Sequence, residues 1–171
     1  LQISVTVLGK PGKNTLLRSG AKSGDLLCIS DKLGKAYLGL REFRSSALVN
    51  AKTRPYLFPK AQILLGQTIA RHASAAIDVS DGIIQDLSHL IARSGVGCEI
   101  DIAQVPVAEN KLKRQCLEFG DDYQLLFTVP PQKIHLLQSD IKSIGKKCHT
   151  IGIIKGTKLR VCLLYTSDAA D

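Results

Sequence analysis

Ala76-Ile77-Asp78-Val79-Ser80-Asp81-Gly82-Ile83-Ile84 combines a strand ending, two aspartates and a helix start. The apolar run closes on Asp78 and Asp81, three residues apart, with Ser80 and Gly82 beside them. A periodic apolar pattern begins at once. The segment reads as a strand that delivers two carboxylates and a hydroxyl to the first turn of a helix. Carboxylates held there can bind a hard cation such as Mg²⁺, and Mg²⁺ with free helix N–H groups can hold phosphates. Read alone, Ser-Asp-Gly is also an ordinary helix cap with a glycine easing the turn. Asp78 tips the balance, because a carboxylate at the end of a buried strand is costly unless something compensates its charge.

The pattern on either side predicts the rest of the chain. Ala75 to Val79 is the strand. Ile83, Ile84, Leu87, Leu90 and Ile91 recur at helical spacing, with Gln85, Asp86, His89 and Arg93 on the other face and Gly95 as the stop. Asp86 reads as a surface acid or a helix-face partner for a nearby basic residue. Upstream, residues 2–8 alternate apolar and polar like a strand, and residues 9–13 read as a turn or linker. A glycine-bearing loop carrying Arg18 leads to a short strand, Leu26 to Ile29. A helix is predicted over residues 33–50, ending before Thr53-Arg54-Pro55, and another from Pro59 to about His72. Downstream come a strand over Cys98 to Ile102, a basic helix over Lys111 to Phe119 and a strand over Gln124 to Val129. Pro130-Pro131 then opens a helix ending near Gly145, followed by strands over Thr150 to Ile154 and Lys158 to Leu164. Tyr165 to Asp171 fit no element, and a non-native tail is expected over 163–171. This mixed order predicts an α+β layer domain.

Composition narrows the classes. The 171 residues suit one domain, or one domain and part of another. No apolar run approaches the roughly 20 residues of a membrane span. The net charge of +8 comes from dispersed Lys and Arg, which favours anionic ligands such as nucleotides without the dense basic run of a nucleic-acid binder. The five cysteines are scattered, with no Cys-x-x-Cys pair, and suit a reducing cytoplasm better than a disulfide scaffold. The chain lacks methionine altogether and is read as starting partway through a gene.

A second acidic motif lies at Phe119-Gly120-Asp121-Asp122-Tyr123-Gln124, just before a strongly apolar strand. It is either a turn with solvated acids or a second acidic cluster facing the first. Tyr123 reads as packing. Arg18 is either a solvated loop residue or a bidentate phosphate clamp. The histidines are mutually isolated, and no catalytic His, Lys or nucleophile stands out. Walker A and Rossmann fingerprints are absent.

Taken in order, LLRSGAKSGDLLCIS, AAIDVSDGIIQDLSHL, FGDDYQLLFTVPP and the closing IGII resemble the C-terminal part of the thiamine-monophosphate kinase family. That family belongs with aminoimidazole ribonucleotide synthetase and selenophosphate synthetase. The resemblance implies the C-terminal domain of that fold, a mixed sheet with helices packed on one side. Residues 26–162 would be the ATP/Mg-binding domain, and residues 1–25 a remnant strand and linker from an absent N-terminal domain. It implies a cytoplasmic homodimeric parent that uses Mg²⁺ and ATP to phosphorylate thiamine monophosphate. By position, Asp78 and Asp81 would bind Mg²⁺, Ser80 and Arg18 would contact ATP, and Asp121 would lie by the substrate, where the family has glutamate. Phe119 replaces a family glycine and Gln124 a family acid, which bears on substrate positioning. The alternatives are another superfamily member, namely a selenophosphate synthetase or an ATP-dependent cyclo-ligase, or an inactive remnant domain.

Overall fold

The computed structural model describes residues 2–10 and 14–162. The chain runs β1 (Leu26–Ile29), α1 (Lys35–Ser46), α2 (Arg54–Leu57), α3 (Ile63–Ile69), β2 (Ala75–Val79), α4 (Ile83–Ser94), β3 (Cys98–Asp101), α5 (Lys113–Glu118), β4 (Gln124–Val129), α6 (Ile134–Ser143), β5 (His149–Ile154) and β6 (Leu159–Cys162). The six strands form one sheet in the order β2-β4-β1-β5-β3-β6. Neighbours are antiparallel except β3 and β6, which run parallel. The sheet is therefore mixed, as the resemblance implied.

Alternation along the strands sends side chains to two separate cores. Leu27, Ile29, Ile77, Val79 and Leu126 pack with Ile83, Leu87, Leu90 and Ile91 of α4 and with Cys116 and Leu117 of α5. Cys28, Phe127 and Val129 face the other way, onto Leu65 and Ile69 of α3 and Ile134, Leu137 and Ile141 of α6. Helices thus cover both faces, and the expectation of helices on one side is corrected. The reason is in the strands: β1 and β4 carry apolar residues at consecutive positions, so both faces need cover.

Several local expectations also shift. Residues 2–8 form no strand, and Ile3, Val5 and Val7 stand 77%, 80% and 84% exposed. A strand needs a partner for its backbone groups, and among the described residues none pairs with this segment. Pro55 does not end a helix but starts α2, occupying its first turn, where its missing N–H costs nothing. The helix expected from Pro59 begins only at Ile63. On α4, Ile84 is 37% exposed, while Asp86 is buried. Asp86 follows Ile83 by three residues and precedes Leu90 by four, so it lies within the apolar stripe. Residues 11–13 of the expected N-terminal turn and the tail at 163–171 lie outside the described residues.

Candidate functional site

The end of β2 and the start of β4 meet at one edge of the sheet. Val79 and Gln124 are register partners, as are Asp78 and Leu125. Beyond them the two acidic loops are joined backbone to backbone. The Asp121 N–H donates to the Ser80 carbonyl at 3.0 Å, and the Tyr123 N–H donates to the Val79 carbonyl at 2.9 Å. Two glycines permit this approach. Gly82 has φ +104°, and a Cβ there would stand 2.7 Å from the Glu118 carbonyl oxygen. A Cβ on Gly120 would overlap the Ser80 carbonyl. Asp121 and Tyr123 take positive φ of 63° and 49° within this turn, a cost of about 1 kcal/mol or more each that the interlocked loops sustain.

The interlock collects the acids around one phenol. Tyr123 donates its hydroxyl to Asp121 Oδ1 at 3.3 Å. Burial pushes the Tyr123 phenol up, and the carboxylates of Asp121, Asp78 and Asp81 push it further, so it stays neutral. Asp78 is half-buried on the edge strand and Asp81 is exposed in the loop. The structure therefore brings Asp78, Ser80, Asp81 and Asp121 together. Tyr123 is no packing residue; it is 36% exposed and bonded into the acid group.

Asp86 holds the loop from beneath. Its Oδ2 accepts the N–H groups of Ser80 at 2.9 Å and Asp81 at 3.0 Å. It is 2% exposed and far from the surface acid expected. Its place in the stripe between Ile83 and Leu90 was a signal that could have located it. The Ser80 and Asp81 N–H groups are consequently not free for a phosphate. Ser80 can offer only its hydroxyl.

Asp122 turns away from its neighbour Asp121. Its carboxylate caps the start of α1, accepting from the N–H of Gly34 and, at 3.0 Å, of Ala36. Burial pushes its carboxyl up, against the opposing pull of the Ala36, Gly34 and Lys35 N–H groups. Gln124 is buried, with Oε1 accepting the Ser30 hydroxyl at 2.8 Å. Its departure from an acid therefore lies inside the fold and not on a ligand-facing surface. The adjacent Asp31 carboxyl is pushed up by burial but drawn lower overall by its ion pair with Lys35.

Arg18 is not brought to this group. The Leu17 carbonyl accepts from Ala76 N–H at 3.0 Å, and the Arg18 carbonyl accepts from the Ser94 hydroxyl at 3.2 Å. Ser94 closes α4, whose 12 residues span about 18 Å from the Asp81 loop. The Arg18 backbone therefore sits at the far end of α4 from that loop.

Residues 22–162 match the family profile described as AIR synthase related protein, C-terminal domain. The chain belongs to this family. As an AIR synthase-related domain it is 35% identical over 169 residues to the thiamine-monophosphate kinase of Buchnera aphidicola subsp. Schizaphis graminum, covering 90% of this chain and 52% of that protein. The crystal structure of thiamine-monophosphate kinase from Stenotrophomonas maltophilia K279a superposes with a TM-score of 0.78 at 29% identity, over 87% of this chain and 53% of that one. A structure described as AaThiL complexed with AMPPCP and TMP gives 0.71 at 29% identity, over 85% of this chain and 50% of its own. The domain spans about half the length of the relatives it matches.

The donor set suits a hard cation. Asp78, Asp81 and Asp121 with the Ser80 hydroxyl are all oxygen donors. Among the described residues no three His, Cys, Asp or Glu side chains already converge as a metal cage. Mg²⁺ is commonly held by one or two carboxylates and completed by waters and substrate phosphates. Among the described residues no helix is long and apolar enough to cross a membrane.

Proposed function

We propose that this chain is the ATP- and Mg-binding half of a kinase that transfers the γ-phosphate of ATP to thiamine monophosphate, giving thiamine diphosphate. The observation that carries the reading is the interlock of the loops at 80–82 and 118–123, which gathers Asp78, Asp81 and Asp121 at one sheet edge. Similarity to thiamine-monophosphate kinases, one of them described with AMPPCP and TMP, supports the choice of phosphate donor and acceptor.

Asp78 and Asp81 would hold Mg²⁺, which when bound supplies charge neutralisation for the phosphates. The Ser80 hydroxyl would donate to a phosphate oxygen. Asp121, steadied by Tyr123, would face the acceptor. Arg18 would meet a part of ATP remote from the metal. No side chain is needed as a strong base. A phosphate monoester with a second pKa of about 6 is already largely a dianion near neutrality. The chemistry is then positioning and charge neutralisation, which suits an acid-rich site without a catalytic His or Lys. The parent would be a cytoplasmic homodimer assembled through its N-terminal domain.

Asp81→Asn in the full-length parent tests this. Mg-dependent formation of thiamine diphosphate is expected to be abolished, and unchanged turnover overturns the metal assignment. The 171-residue chain alone is expected to show little turnover, and robust activity from it overturns that part of the reading.

A further inference from the structure

A glycine-bearing turn from a strand into a helix is ordinarily an anion site, because its N–H groups and the helix dipole point at the ligand. In this chain that use is blocked. The N–H groups of Ser80 and Asp81 both donate to Asp86 Oδ2, at 2.9 and 3.0 Å. The Asp86 N–H in turn donates to the Gly82 carbonyl at 3.1 Å, and the Ser80 carbonyl accepts from Asp121. Asp81 Oδ2 accepts from the Gln85 side chain at 3.2 Å, leaving its other oxygen outside that bond. A buried negative charge thus occupies the donors of the loop, while Asp78 and Asp81 remain at its edge. The first turn of α4 is where the helix dipole best tolerates such a charge.

We propose that Asp86 is a positioning residue that converts this loop from an anion site into a cation site, so that nucleotide phosphates engage it only behind a divalent cation. It acts through Ser80 and Asp81, fixing their backbone and adding a negative charge beneath them. The inference rests on the reading of Asp78 and Asp81 as cation ligands. It goes beyond that reading by assigning the metal requirement to a residue that touches neither metal nor phosphate.

Removing the carboxylate frees two N–H donors and deletes one negative charge. Cation affinity then falls and direct phosphate affinity rises. Two bindings of this chain read this without any turnover. One is Tb³⁺ luminescence sensitised by Tyr123 and displaced by Mg²⁺. The other is calorimetric binding of AMPPCP in Mg²⁺ and in EDTA. The wild-type chain is expected to bind AMPPCP at least about tenfold more tightly with Mg²⁺ than in EDTA. Asp86→Ala is expected to weaken Tb³⁺ on the order of tenfold and to bind AMPPCP in EDTA more tightly than wild type. Asp86→Asn keeps an oxygen that can accept both N–H groups. It is expected to retain slow hydrogen exchange at the Ser80 and Asp81 amides while losing about threefold in Tb³⁺ affinity.

Wild-type Tb³⁺ affinity in Asp86→Ala overturns the proposal, as does equal AMPPCP binding by the wild-type chain with and without Mg²⁺. If Asp86→Ala fails to fold, unchanged Tb³⁺ affinity in Asp86→Asn overturns it. A parent enzyme that makes no thiamine diphosphate while these shifts hold sinks the kinase reading alone. A working kinase whose Mg²⁺ dependence survives in the Asp86 variants sinks this proposal alone.

Discussion

The Gly82 Cα lies so close to the Glu118 carbonyl that a Cβ added there would stand 2.7 Å from its oxygen. This contact, with its counterpart between Gly120 and Ser80, keys the loop after β2 into the loop before β4. Gly82→Ala must both relieve that clash and adopt φ +104° with a side chain. The substitution is expected to cost about 2 kcal/mol or more of stability. Denaturant unfolding of the chain measures this, and a loss below about 0.5 kcal/mol would show the loops are not keyed together.

The second prediction concerns the Ser30–Gln124 pair. Ser30 Oγ donates to Gln124 Oε1 at 2.8 Å and accepts the Leu125 N–H at 2.9 Å, in a buried setting. Ser30→Ala leaves both partners unsatisfied, which is expected to cost about 1–3 kcal/mol. Ser30→Thr, which keeps the hydroxyl, should recover part of that. Equal melting temperatures for wild type and Ser30→Ala would contradict the pairing.

The joint between α3 and α6 should be pH-sensitive on the acid side. Asp140 accepts from His72 at 2.8 Å and pairs with Arg71 at 3.3 Å. The His72 hydrogen bond holds its carboxyl below the ordinary value of 3.8. A lowered folded pKa gives stability that is complete above the unfolded value and is lost as pH falls through the folded one. Asp140→Asn is therefore expected to lower the melting temperature near neutrality, with the gap to wild type closing as pH falls below 3.8. A gap that stays constant down to full protonation would rule out the linkage.

Alkylation should separate native from unfolded thiols. Burial pushes Cys28 up to about 12, against a hydrogen bond from Thr150, and burial also pushes Cys98 up to about 12. Both side chains are fully buried, and a thiol rather than a thiolate is a poor nucleophile. Iodoacetamide at mildly alkaline pH is expected to leave Cys28 and Cys98 unmodified in the folded chain and to modify both in denaturant. Peptide mass mapping reads this, and rapid native labelling of either would contradict its placement.

Much of the fold was legible in the residues. Ala75 to Val79 and Gln124 to Val129 are strands with those bounds, and α4 follows its apolar spacing to Gly95. Short-range periodicity and glycine stops are local signals, and local signals survive folding when packing agrees with them. The alternating residues 2–8 lack that agreement. Their pattern calls for pairing that the described chain does not supply, so no strand forms.

The site divides the same way. The sequence by itself determined that Asp78 and Asp81 flank a strand-to-helix turn, since three residues of spacing and a following apolar stripe admit little else. Only the tertiary structure decided which acids join them. Asp121 and Asp122 are neighbours in an identical-looking pair, yet one borders Ser80 and the other caps α1. Asp86 goes under the loop and Arg18 to the far end of α4. The physical reason is that a carboxylate is drawn to whichever unpaired N–H groups the folded backbone leaves within reach. Those groups are defined by contacts between segments far apart in the chain, which no local pattern encodes.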